Sequence, residues 1–172
     1  GVSTTTNGGE AEIEGLEIEG LYRMTDNFSL SFTAGWLDTA YTDLGQAQNI
    51  ALNTPFPNAP ETSYSIGGQW YKSLSSGGSI TTRFDYGWID DFQTHQDSRF
   101  QASVGANDAY GKLSSRITYV SPDGKWDVAI FGTNLTDEYY RLGGFSAVLG
   151  GVDQGVVGRP REFGISLTMQ FD

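Results

Sequence analysis

The chain has 172 residues and a formal net charge of −11, with 38% hydrophobic residues, 13% aromatic residues and 23 glycines. That acidity excludes a nucleic-acid partner, because nothing here neutralises a row of phosphates. The absence of cysteine excludes disulfide scaffolds and thiolate metal sites. No run approaches the ~18 consecutive apolar residues of a membrane-crossing helix, so a membrane role has to use strands.

Period-two alternation predicts seven strands. The first, 10–24, sets Leu16, Ile18, Gly20, Tyr22 and Met24 against Glu17, Glu19 and Arg23. Glu10, Glu12 and Glu14 are out of phase with Glu17 and Glu19, which predicts a bulge near Gly15. The second, 28–41, sets Phe28, Leu30, Phe32, Ala34 and Trp36 against Ser29, Ser31, Thr33 and Gly35. The third, 62–72, opposes Tyr64, Ile66, Gly68 and Trp70 to Ser63, Ser65, Gly67 and Gln69. The fourth, 79–90, opposes Ile80, Thr82, Phe84, Tyr86 and Trp88 to Thr81, Arg83, Asp85 and Gly87. The fifth, 109–121, is weaker, with Leu113, Ile117 and Tyr119 on the apolar parity. The sixth, 125–135, carries Trp126, Val128 and Ile130, and the seventh, 160–171, carries Phe163, Ile165, Leu167, Met169 and Phe171. Leu21 and Phe131 fall on the polar parity and break the pattern.

The connections alternate in length. Residues 25–27, 73–78 and 121–124 are short turns of Asn, Asp, Gly, Ser and Pro, whereas 42–61, 91–108 and 137–159 read as long and irregular. Short turns at one end and long loops at the other match an outer-membrane barrel, with the short turns in the periplasm. The aromatics point the same way. Tyr22, Phe28, Trp70, Tyr119, Trp126 and Phe171 lie near the short-turn end, and Trp36, Tyr64, Trp88 and Phe163 near the long-loop end. Phe28 to Trp36 spans eight residues, about 27 Å along a strand and roughly 20 Å of height at a tilt of ~40°. Two aromatic belts near the ~25 Å height of an apolar band are what interfacial rings produce. The fold class expected is therefore all-β, an antiparallel meander of about seven strands forming part of a transmembrane β-barrel.

Three stretches resemble the TonB-dependent receptor family of Gram-negative outer membranes. They are Glu10–Glu19 with Thr25–Leu30, Trp126–Tyr140 including Asn134-Leu135-Thr136-Asp137, and Gly158–Phe171. The resemblance implies that Glu162, Gly164, Leu167, Met169 and Phe171 form the terminal signal read by the barrel-assembly machinery. It also implies a localisation in the outer membrane, contact with membrane lipid and lipopolysaccharide, a small-molecule ligand, and TonB acting through an N-terminal plug. Members usually end on an aromatic residue, whereas Asp172 follows Phe171 here. The expectation is that 1–172 is a C-terminal barrel segment, lacking the plug and the earlier strands. The opening Gly1-Val2-Ser3, without Met or signal peptide, and the odd strand count point to a fragment.

Residues with chemical potential are few. His95, beside Asp97 and near Asp90 and Asp91, is the single histidine, and a solvated loop residue is its ordinary reading. No nucleophile elbow accompanies it, so no catalytic residue, cofactor or metal site is expected, and the chain is not read as an enzyme. Glu10, Glu12, Glu14, Glu17 and Glu19 suit either Ca²⁺ or a solvated lumenal face. Arg141, Arg159 and Arg161 suit lipopolysaccharide phosphates, an anionic ligand, or a structural role. The leading function is a barrel segment of a receptor for energised uptake of a scarce nutrient (siderophore, vitamin or glycan). A passive porin and a soluble β-sandwich or adhesin module are the alternatives.

Overall fold

The structure, a computed structural model, describes residues 9–45, 50–95, 105–147 and 152–171. Asp97 and Asp172 lie outside the described residues. The strands are β1 (Glu10–Thr25), β2 (Phe28–Asp43), β3 (Thr62–Ser73), β4 (Ser79–Ile89), β5 (Phe92–Gln93) and β6 (Ala106–Asn107). They continue with β7 (Tyr110–Val120), β8 (Trp126–Thr133), β9 (Arg141–Ala147), β10 (Val152–Val157) and β11 (Glu162–Met169). Seven of them form one antiparallel sheet in the order β1-β2-β3-β4-β7-β8-β11.

Each long strand matches a predicted segment to within a few residues at its ends, because alternation and turn chemistry are local signals. The turns close as their residues dictate. Gly77 and Gly124 adopt φ of +92° and +68°, open to glycine at no steric cost. In the β7–β8 turn the Ser121 amide donates to the Trp126 carbonyl at 3.0 Å, and the Lys125 amide donates to Asp123 Oδ1 at 3.1 Å. The Ser121 hydroxyl adds a 2.5 Å bond to the same carboxylate. These two donors, Ser121 foremost, hold the Asp123 carboxyl below its ordinary pKa.

Two expectations fail. The β1–β2 register is unbroken from Ala11 to Arg23, so no bulge sits at Gly15. The shifts fall instead between Glu10 and Ala11 and between Arg23 and Thr25. Glu12 and Glu14 share a face with Leu16 and Ile18, opposite Ala40 and Asp38 and so beyond the Trp36 level. An acidic residue past the apolar band needs no bulge to escape it. The loop 137–159 is also not irregular: β9 and β10 pair as a hairpin there. Within 91–108, β5 and β6 make a two-residue ladder, and Pro57 bridges Gln93.

Among the described residues no second layer covers the sheet. Among the described residues the only buried hydrophobic side chain is Ala129, whereas Phe32, Trp36, Ile66, Phe84, Ile130 and Ile165 are exposed. A soluble sandwich would bury such a face. An open sheet of consecutive strands, apolar on one side, is the wall of a barrel.

Candidate functional site

The functional surfaces are the two sides of the sheet and the loop end above them. Direct cross-strand partners share a face, so the register carries side-chain rows around the wall. On the apolar side Phe28 faces Trp70, Phe32 faces Ile66, which faces Tyr86, and Tyr64 faces Trp88. The row Ile117, Ile130 and Ile165 crosses β7, β8 and β11. The two aromatic levels are maintained by contact. Tyr64 stacks on Trp88 with centroids 5.2 Å apart, and Tyr119 meets Trp126 at 5.5 Å near the short turns. Tyr22, Trp36, Tyr64, Trp70, Trp126, Phe163 and Phe171 are exposed, while Phe28, Trp88 and Tyr119 are half-buried by neighbouring rings and strands.

Several glycines on this wall are covered by a ring from the facing strand. Gly20 lies under Phe32 and Gly68 under Phe84, each its direct partner. The same device explains Phe131. It stands on the polar side because its ring covers Gly164 there, and the Arg116 guanidinium lies 5.5 Å above it. Leu21 is also on the polar side, opposite Ser31, and 79% exposed. No packing partner among the described residues accounts for it.

The polar side carries hydroxyls and a few charges. Thr33 and Ser65 share a 2.8 Å hydrogen bond, and Ser31 lies next to Gly67. Arg83 donates to both carboxylate oxygens of Asp85, from Nε at 2.8 Å and from Nη2 at 2.6 Å. Arg83 stands directly opposite Arg116, which turns away and donates to the Thr118 hydroxyl at 3.3 Å. Glu17 and Glu19 lie on this side while Glu12 and Glu14 lie on the other, so the glutamate series divides between two faces. It does not converge on a cation. Among the described residues no group of three or more His, Asp or Glu side chains is placed to hold a metal ion.

At the long-loop end, Leu52–Pro55, Glu61 and Asp90–Gln93 close over the top of β2 around a recess of about 400 Å³. Tyr41 packs on Phe56 at 4.3 Å, and the Asn58 amide donates to the Gln93 carbonyl at 2.7 Å. His95 follows β5 by two residues.

The stretch Asn134–Asp137 proves to be a clamp, a role that the sequence pattern did not reveal. Asn134 is 4% exposed at φ +49°, and Asp137 has φ +60°. The Asn134 amide donates to the Glu138 carbonyl at 2.9 Å and to the Arg159 carbonyl at 3.1 Å. Its oxygen accepts the Glu138 N–H at 3.0 Å. Thr136 donates to the Gly111 carbonyl at 2.8 Å, and Arg161 reaches Asp137 at 3.0 Å. The two ends of the loop that carries the β9–β10 hairpin are thereby tied together and to β7. Two residues that tolerate positive φ, Asn and Asp, spaced three apart were the available signal.

The three arginines separate. Arg161 is taken up by Asp137, and Arg141 is held by Asn107, whose side chain bonds both its amide and its carbonyl. Arg159 keeps an 85% exposed side chain, with Glu162 at 3.8 Å. In the terminal strand Glu162 and Gly164 lie on the polar side, Leu167 and Met169 on the apolar side, and Phe171 just beyond the strand is 86% exposed.

A family model described as TonB dependent receptor-like, beta-barrel matches residues 1–135. No curated protein matches the chain. Among solved structures, the ferric yersiniabactin uptake receptor FyuA from Yersinia pestis superposes with a TM-score of 0.81 at 17% identity. The match covers 96% of this chain and 24% of that receptor, so the chain spans about a quarter of its length.

Proposed function

The chain belongs to the TonB-dependent receptor β-barrel family, and from that premise we propose that it is a C-terminal part of the barrel wall of an energised uptake receptor. The apolar face, ringed by Tyr22, Phe28, Trp36, Tyr64, Trp70, Trp88, Tyr119, Trp126, Phe163 and Phe171, contacts the hydrocarbon of the Gram-negative outer membrane. The polar face lines the lumen, and the long loops with the β9–β10 hairpin face outward to meet a scarce nutrient. Iron chelates of the siderophore class come first among the candidates, ahead of vitamins and glycans, because the structural neighbour takes up a ferric complex. A plug supplied N-terminal to this segment fills the lumen and takes the pull of TonB.

In this reading Glu162, Gly164, Leu167, Met169 and Phe171 present the assembly signal, polar residues inward and apolar residues toward lipid. The chain works by binding and passage, not by catalysis. The observation that carries the reading is the uncovered apolar face of a single meandering sheet. The experiment is uptake of labelled ferric chelates by cells expressing the full-length gene, with and without TonB. Accumulation that requires TonB supports the reading. Passage that persists without TonB would make the protein a passive porin.

A further inference from the structure

Toward the long-loop end, the polar side of β3, β4 and β7 encloses a recess of about 530 Å³. Gly87 makes the room. It faces Ser65 on one side and Lys112 on the other, and a Cβ there would meet nothing within 4 Å. The charges of the lining do not cancel, because two cations, Arg83 and Lys112, stand against one carboxylate, Asp85. Asp85 gives both oxygens to Arg83. Among the described residues Lys112 is in no ion pair. Rings hold its ammonium instead, with the Tyr140 centroid at 4.1 Å and that of Tyr110 at 5.7 Å, and the two rings stack on each other at 5.0 Å. A ring face fixes a cation without neutralising it. Glu19 belongs to the same cross-strand row, but Thr33, Ser65 and Gly87 stand between it and Lys112. Four strand spacings of ~4.8 Å put it about 19 Å away along the wall, beyond the ~8 Å screening length of salt water. A chain of net charge −11 thus carries a positive spot at the mouth of its polar face.

We propose that this recess is a subsite for a carboxylate-bearing small molecule, with Lys112 as the charge partner of the carboxylate. The inference rests on the lumenal placement of this face proposed above, and it narrows the ligand to one with a free acidic group. Lys112 is half-buried, so water screens its charge only in part, and an anion beside it gains a charge-assisted hydrogen bond. The hydroxyls of Ser63, Ser65 and Ser114 are donors for the remaining lone pairs of the carboxylate. A recess of this volume suits a small organic molecule, where a lone ion would leave most of it empty. It opens beside Ile89 and Tyr110, the residues of β4 and β7 next to the 91–108 loop, where a ligand arriving from the loops enters.

The test is NMR of the full-length receptor in detergent micelles, its lysines carrying isotope-labelled dimethyl groups that preserve their charge. Lys112→Gln assigns the Lys112 signal by removing it. Benzoate and benzamide, alike in shape and different in charge, are the probes. Benzoate should shift the Lys112 signal saturably and bind about tenfold more tightly than benzamide, the worth of one charge-assisted hydrogen bond. Gly87→Val fills the open space from β4 and should weaken benzoate, again about tenfold. Arg116→Gln removes a cation from the same strand and face, about 14 Å along at ~3.4 Å per residue, and should leave the affinity unchanged within about twofold. Equal affinities for the two probes, or a Lys112 signal that drifts with the other lysines without saturating, would overturn the assignment. A Lys112 signal indifferent to benzoate overturns it as well, and would mean that the plug already meets the charge. Should Gly87→Val fail to fold, the probe pair and Arg116→Gln decide the question. Uptake that persists without TonB beside a saturable Lys112 site refutes energised transport alone; TonB-dependent uptake without that site refutes the subsite alone.

Discussion

Replacing Asn134 tests whether one buried amide holds the last long loop in place. Asn134→Ala removes two donated bonds and one accepted bond, leaving the Glu138 N–H and the Glu138 and Arg159 carbonyls to find other partners. A buried polar group left unmet costs about 1–3 kcal/mol, and water reaching this neck from the loop side offsets part of that. A net loss near 2–3 kcal/mol follows. Alanine at φ +49° keeps the Cβ that crowds the following carbonyl, a cost of about 1 kcal/mol that Asn134 already bears. Asn134→Gly deletes the same bonds without the backbone conflict, so it should be milder than alanine by about that 1 kcal/mol. The assay is equilibrium urea unfolding of the full-length protein in detergent micelles, with amide exchange at Glu138 as the local probe. The expected order of stability is wild type, then Gly, then Ala, with faster exchange at Glu138 in both variants. If both variants unfold within 0.5 kcal/mol of wild type, about what a neutral surface change produces, the clamp argument is wrong. Equal values for Gly and Ala would remove the backbone part of it.

Three further outcomes follow from the two-faced wall. Ile130→Lys puts a charge in the middle of the apolar row, which the proposed membrane placement turns toward lipid, and should cost ~2–4 kcal/mol in folding into bilayers, while Gln69→Lys on the polar side, opposite Arg83, should cost at most about 1 kcal/mol. Equal losses in a heat-shift gel would contradict the face assignment. Gly68→Val thrusts methyl groups into the space of the Phe84 ring and should destabilise by ~1–3 kcal/mol. The double variant with Phe84→Ala should lose less than the sum, and strict additivity in the cycle would show that ring and glycine are independent. Asp123 should titrate below the ordinary aspartate value of ~3.9, as read from its carboxyl carbon by NMR. Because its folded pKa is depressed, its stabilisation is present above that ordinary value and is lost as pH falls through the depressed one. Ser121→Ala should raise the titration back toward the ordinary value, and an unmoved midpoint would refute the hydroxyl's role.

Much of this protein was legible in its residue order. Alternation such as Phe28-Ser29-Leu30-Ser31-Phe32 assigns each side chain to a face without knowledge of any neighbour, and Ser121-Pro122-Asp123-Gly124 marks its own turn. The seven strands of the main sheet, the polarity of their two faces and the loop asymmetry all come from such local patterns. Other features depend on which strand lies alongside. Gly15 suggested a bulge, but the pairing with β2 runs straight through it, since only a partner's register can reveal a shift. Arg141–Ala147, with its adjacent glycines, lacks alternation and becomes a strand only by pairing with β10. Phe131 appeared misplaced until Gly164 was found beneath its ring, and Asn134 became a clamp only once Arg159, 25 residues later, stood within its reach. A strand's face is set by its own covalent geometry, whereas register, ring-on-glycine packing and loop ties are properties of pairs distant in the chain, and these only the folded sheet decides.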